Sequence, residues 1–223
     1  MDNMTNPPNV TMDLVRIHRA LTRGLNVAME RGSGFMQTGF PGEDLRRGFS
    51  EAIQSLVAVL RAHHLIEDEV AFPAFKERLP SAPYARLAAN HKEIELLLVS
   101  IEQGNAHLAQ GEDGAGLGLV LESLQKAFGI WGPHIRMEEA IFSQDALTGV
   151  MSLEEQRWIS DGMAKTFQAY ATPAALTIPY VLYNLDGALR AGMAASLPAN
   201  VLEELIPKVW QEQWAPMKPF LLD

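Results

Sequence analysis

Histidines, and glutamates one helical turn away from them, carry the chemistry this sequence can offer. The histidines stand at positions 18, 63, 64, 91, 107 and 134. Residues three and four apart share a helix face, so neighbours at those spacings indicate where an imidazole points. His18 has Leu14 and Leu21 on its face, and His63 has Val59, Leu60 and Ile66. His91 has Leu87 and Ile94, and His134 has Ile130, Trp131 and Met137. These four lie on apolar stripes and are expected to face a core. His107 has Gln103, Gly104, Gln110 and Gly111 around it, a polar face near a helix end. His64 lies at a stripe edge, with Leu60 on one side and Arg61, Glu67 and Asp68 otherwise. One inward histidine is ordinarily a core residue with a satisfied hydrogen bond. Four on successive helices are harder to explain, because each imidazole buried without a partner costs on the order of 1–3 kcal/mol. Something central must offset that cost.

Carboxylates follow at the right spacing. Glu67 is four residues after His63, Glu138 four after His134, and Glu95 four after His91; Thr22 follows His18. A pair at that spacing has Cβ atoms ~5–6 Å apart. With metal–ligand bonds of ~2.0–2.2 Å, it can hold one ion or bridge two. A buried lone carboxylate is strongly disfavoured, whereas one beside imidazoles and a cation is not. Glu67 and Glu138 share the histidine stripes with Ile66, Val70 and Ile141, while Asp68 and Glu139 read as ordinary surface charges. Glu95 reads as an acceptor for a ring N–H or a rim charge ahead of a ligand. His64 is open between an extra ligand and a proton donor.

Two carboxylates and four or more imidazoles exceed the needs of one tetrahedral zinc. They suit two five- or six-coordinate ions bridged by carboxylate. Mixed nitrogen and oxygen donors favour iron or manganese over calcium or magnesium, with zinc as a substitute. Ferritin-like bundles use Glu-x-x-His. Here Val15, Leu60, Arg61, Ala88, Gly104 and Trp131 stand three residues before the six histidines, and none is acidic. A His-Glu-x-x-His protease signature is absent as well.

The elements that must position these groups are helices. Alternating strand patterns are missing and the apolar period is helical throughout. Helices are predicted over 12–31, ending at Gly32-Ser33-Gly34, and over 44–78, kinked by Pro73. Two more are predicted over 84–109 and 119–147, the last interrupted by Gly132-Pro133. Four long helices with short loops give an all-α, up-down four-helix bundle over residues 12–147. A fifth helix starts at a capping box, Ser152 with Glu155, and reaches about Tyr170. Residues 148–223 form a helical extension, cut into short pieces by prolines and expected to pack on the bundle or on a second subunit. Its Trp-bearing tail could serve as a homodimer contact or as a lid over one bundle end.

Composition narrows the functions. The formal charge of −9 and the absence of a Lys/Arg run argue against nucleic acid or an anionic membrane as partner. No stretch approaches the ~18 apolar residues of a membrane span. With no cysteine, disulfides, iron–sulfur clusters and thiol chemistry are excluded. The polar stretch from Met1 to Thr11 lacks the features of a signal peptide, so a cytoplasmic location is expected.

The order is a lone His18, then His63-x3-Glu67 leading into Phe72-Pro73, a lone His91, and His134-x3-Glu138-Glu139. This order resembles the hemerythrin-like HHE cation-binding domain, above all in the stretch from His63 to Pro73, and the resemblance covers about residues 12–147. It implies a four-helix bundle with a non-haem di-iron site. It also implies His18, His63, His91 and His134 as terminal ligands and Glu67 and Glu138 as bridges, with O2, NO or iron as what is bound or sensed. The chain departs from the oxygen carriers, which resemble it but have a histidine where Glu95 stands and His-x4-Asp on the fourth helix. It also lacks the cysteine-bearing segment of the iron–sulfur repair branch. Three functions are therefore open: a di-iron binding or sensing module, a di-iron oxidase or peroxide-decomposing enzyme, and a metal-free helical interaction protein.

Overall fold

The computed structural model describes residues 9–222, so the signal-peptide reading of the N-terminus falls mostly outside the described residues. The chain is all-α, with no strand among the described residues. Four long helices, α1 (Val10–Thr38), α2 (Glu43–Ile66), α4 (Tyr84–Ala109) and α5 (Asp113–Ile141), form the bundle, with the short α3 (Phe72–Arg78) continuing α2. They close a ring in which α1 packs on α2 and α5, and α4 packs on the same two. Successive helices run in opposite directions, as short connections require.

A short α6 (Gln144–Thr148) leads to α7 (Leu153–Tyr170), α8 (Ala174–Tyr183), α9 (Gly187–Ser196) and α10 (Gln211–Trp214). The predicted capping box starts α7, with Ser152 Oγ accepting from the Glu155 amide at 3.2 Å and the Ser152 amide donating to Glu155 Oε2 at 2.8 Å. The segment after α9 is a π-helix over Val201–Val209, and a 3-10 helix covers Ala215–Phe220. Tyr180, Val181, Leu182, Ile206, Trp214, Met217 and Phe220 join the same apolar cluster as Leu25, Phe49 and Ile53 of α1 and α2. Arg23 of α1 adds a polar tie, donating to Asn184 and to the Phe220 carbonyl.

Several helix boundaries differ from the sequence reading. Helix α1 passes straight through Gly32-Ser33-Gly34. Gly32 is there for close packing, since a Cβ would lie 2.9 Å from Leu121 Cδ2 and 3.2 Å from Phe49 Cζ. Helix α5 begins at Asp113 and not at Leu119, because Gly116 belongs to the helix and lets it meet α4 at Gly104. A Cβ on Gly104 would stand 2.8 Å from the Gly116 carbonyl oxygen. Helix α5 also runs unbroken through Gly132-Pro133, forgoing the hydrogen bond that proline cannot donate. It ends at Ile141 and not at Leu147, where α6 takes over. The expected kink at Pro73 takes the form of a π-turn over Glu67–Ala71, between α2 and α3. The wider turn accommodates a ring that an α-turn would press against the carbonyl four residues back.

Two apolar clusters stack along the bundle axis. One contains Leu21, Leu60, Ile94 and Trp131; the other contains Leu14, Ile66, Leu87 and Phe142. Each long helix crosses from one cluster to the other. On every one of them, the residue at the crossing is a buried histidine: 18, 63, 91 and 134. The helical period thus builds a polar layer sealed between two dry ones. Helices α6 and α7 and the connection between them close the second cluster with Leu147, Met151, Ile159 and Met163.

Candidate metal centre

The six residues expected to ligate metal all converge in that layer. His18 comes from α1, His63 from α2, Glu67 from the π-turn, His91 from α4, and His134 and Glu138 from α5. All six are buried, His18, Glu67, His134 and Glu138 completely. His63 Nε2 lies 3.4 Å from Glu67 Oε2, and His91 Nε2 lies 3.3 Å from the same oxygen. His134 Nε2 is 3.2 Å from Glu138 Oε1, and His18 Nε2 is 3.4 Å from Glu138 Oε2. Two imidazole nitrogens, His91 Nε2 and His134 Nε2, face each other at 3.1 Å. Donors at adjacent corners around an ion with bonds of ~2.0–2.2 Å stand about 3 Å apart, and these separations are of that size.

The donors fall into two overlapping quartets able to hold a metal ion. His18 and His63 form one with Glu67 and Glu138; His91 and His134 form the other with the same two carboxylates. Within each quartet the ligand atoms lie within 4.8 Å of one another. Among the described residues, His18 Nε2, His63 Nε2 and all four oxygens of Glu67 and Glu138 are buried with no hydrogen-bond partner. Buried polar atoms are nearly always paired, so six unpaired and mutually facing atoms fit a cation between them.

Outer carboxylates aim the two lone histidines. His18 Nδ1 donates to Glu139 Oε1 at 3.1 Å, and His91 Nδ1 lies 3.0 Å from Asp68 Oδ1. At His18 the hydrogen bond to Nδ1 leaves the Nε2 lone pair directed inward, and at His91 the Asp68 carboxylate makes a close charge contact on the same side. Asp68 and Glu139 are thus more than the surface charges the sequence suggested. Each directly follows a central glutamate, and each reaches a histidine on a neighbouring helix.

The sequence profile described as the hemerythrin HHE cation binding domain matches residues 10–146, more than half of the chain. The chain belongs to this hemerythrin HHE family. No curated protein and no solved structure matches it. The HHE match spans α1 to α5, the helices that supply every donor in the two quartets.

Electrostatics within the HHE site are divided. Burial opposes charge on His18, but the neighbouring carboxylates of Glu138, Glu139 and Glu67 raise its pKa well above the ordinary histidine value. His91 is likewise raised, to about 9, with burial opposed by Asp68 and Glu67. Burial, reinforced by the neighbouring imidazoles, pushes His63 and His64 well down. Glu138 is lowered to about 2, because His134 and His18 outweigh its burial. Metal ligation requires unprotonated imidazole nitrogens and carboxylates, so uptake of a cation would be coupled to proton release.

Other candidates lie elsewhere. Glu95 is a rim charge, 2.9 Å from Arg61 Nη2, and Arg61 also grips Glu102 at 2.8 Å. The Tyr84 hydroxyl donates to the Leu79 carbonyl at 3.1 Å. His107 pairs with Glu112 at the end of α4, outside the site. His64 is buried against the site and not at a stripe edge. Trp131, also buried, has its ring centroid 5.7 Å from both His18 and His63 and 6.2 Å from His134. Its indole N–H is occupied by Thr22 Oγ1 at 2.9 Å, so it presents only an apolar face to the donors.

Proposed function

We propose that this HHE domain holds two iron ions and uses them to bind or sense O2, NO or iron. The observation that carries this reading is the sharing of Glu67 and Glu138 between two histidine pairs. A carboxylate common to two quartets is a bridge, which makes His18, His63, His91 and His134 terminal ligands. The nitrogen and oxygen donors suit iron, with manganese or zinc as substitutes. Bound ferrous ions would supply the electrons or the open position that a diatomic ligand requires. The chain's own residues keep the layer dry, through Leu21, Ile66, Ile94 and Trp131, all buried. Ile141, half-buried, packs against the second apolar cluster.

Binding is favoured over turnover by where the acids and hydroxyls lie. Oxidase or peroxide chemistry needs a proton donor at the metal. Of the groups that could donate, Tyr84 is engaged with Leu79 and Glu95 with Arg61, which leaves the imidazole of His64, whose burial disfavours its protonated form. Stopped-flow mixing of the reduced, iron-loaded protein with O2, NO and peroxide tests this. A long-lived adduct with O2 or NO is expected, whereas multiple turnovers of peroxide or O2 would establish the enzyme instead.

The outer carboxylates give a graded prediction. Glu139→Gln and Asp68→Asn are each expected to weaken metal binding by about 10–100-fold. Glu139→Gln should act on the His18 ion and Asp68→Asn on the His91 ion. Titration against a competing chelator would show one weakened step of two in each variant. Unchanged affinity in both would remove their orienting role.

The acidic charge supports a reading without nucleic acid or an anionic membrane surface as partner. No helix among the described residues is long and apolar enough to cross a membrane. We treat residues 148–223 as an extension of the HHE bundle. A homodimer contact through this extension is tested by sedimentation, in which a monomer would overturn it.

A further inference from the structure

Glu67, a carboxylate common to both quartets, is carried by a π-turn and not by regular α-helix. The Phe72 amide donates to the Glu67 carbonyl, five residues back. Such turns are rare and occur mostly as single insertions in α-helices. Neighbouring structure must therefore hold this one in place.

The neighbour is α7, which lies outside the residues matched by the HHE profile. It packs on the π-turn as well as on α1 and α2. Two polar ties fix it on either side. Ser160 Oγ donates to Asp13 Oδ2 of α1 at 3.0 Å, and Glu155 pairs with Arg78 of α3. Ile159 and Met163, both buried, join the apolar cluster that holds Ile66 and Phe72, the residues flanking the turn. Gly162, on the same face of α7, meets the turn directly. A Cβ there would lie 3.0 Å from Val70 Cγ1, tighter than ordinary van der Waals contact. Val70 is three residues after Glu67 in the same turn. One short piece of backbone thus carries a carboxylate in the metal layer and an apolar side chain against α7. Close-packed interiors transmit a displacement from one side of such a piece to the other.

We propose that α7 positions the bridging carboxylate: the Gly162–Val70 contact sets where the π-turn stands, and through it where Glu67 meets the two ions. This rests on the two-ion reading above. Gly162 and Val70 are positioning residues. The extension thereby takes part in the centre while, among the described residues, it contributes no member to the donor groups.

The test compares wild type with Gly162→Val, Val70→Ala and the double variant, each as the full chain. Helix content is checked by circular dichroism, and melting temperature is recorded without metal. Ferrous iron is titrated anaerobically against a chelator, and Mössbauer spectra are recorded on the iron-57-loaded proteins. Gly162→Val overfills the contact and Val70→Ala empties it. Each is expected to weaken both binding steps, by about tenfold, and to shift the quadrupole splitting of both irons, because Glu67 is shared. The double variant exchanges volume across the contact and should return affinities and spectra toward wild type. A merely structural role would lower the metal-free melting temperature of the single variants and leave the splittings unmoved. That outcome, or a double variant no better than the singles, would overturn the role of α7 and leave the two-ion reading intact. Should Gly162→Val not fold, Val70→Ala decides alone, because Val70 is only half-buried. Unchanged binding steps and spectra in it would overturn the proposal. Fewer than two ions in wild type would overturn the two-ion reading, and this inference with it.

Discussion

Replacing Glu67 with glutamine is expected to remove both metal ions at once, whereas His63→Ala should remove only one. The difference follows from membership of the quartets. Glu67 belongs to both, and its Oε2 lies within 3.4 Å of His63 Nε2 and 3.3 Å of His91 Nε2. His63 belongs to one. Glutamine keeps the shape of the side chain but cannot bridge two cations as a carboxylate does. The metal-free fold should tolerate the change, because neither oxygen of Glu67 makes a hydrogen bond among the described residues. Metal per chain by mass spectrometry, read beside thermal unfolding of the metal-free proteins, separates the two effects. Glu67→Gln retaining two ions would show that Glu67 is not a bridge, and His63→Ala retaining two would remove His63 from the ligand set.

Stripping the metal should lower the melting temperature by roughly 8–16 °C for each ion held at a thousandfold excess over its Kd. Ligand held only by the folded state at that excess stabilises by about 4 kcal/mol. For a chain of this size, each kcal/mol moves the midpoint by about 2–4 °C. The physical source is the layer between the two apolar clusters, where buried imidazoles and carboxylates face one another unpaired. Chelator followed by differential scanning calorimetry gives the first half of the test. Re-addition of ferrous iron, which should restore the midpoint, gives the second. A midpoint unmoved by metal would mean that the layer is stable on proton sharing alone.

Much of this was legible in the sequence because the helical period is local. Leu14, His18 and Leu21 fix one face of α1 without reference to any other helix, and the same holds for His63, His91 and His134. Glu67 and Glu138 follow from their spacing to a histidine on their own helix. Asp68 and Glu139 were missed because their partners, His91 and His18, lie on other helices, and no periodicity links those positions. His64 was ambiguous for a related reason. Its own helix places it at the edge of a stripe, and only the packing of α4 and α5 turns that edge into interior. The glycines misled in the same way. Gly32 and Gly116 look like punctuation in one dimension, but they are contact points between helices in three. The short pieces after Tyr170 have too little periodicity to predict where they dock, and that is decided by apolar contacts such as Met217 and Phe220 against α1 and α2.

The most direct measurement is the metal content of the chain expressed in iron-supplemented medium and purified without added metal, with a Mössbauer spectrum of the oxidised protein. Two irons per chain as a magnetically coupled pair is the expected result. A chain that takes up no iron, or a single uncoupled ion, would contradict the two-metal centre.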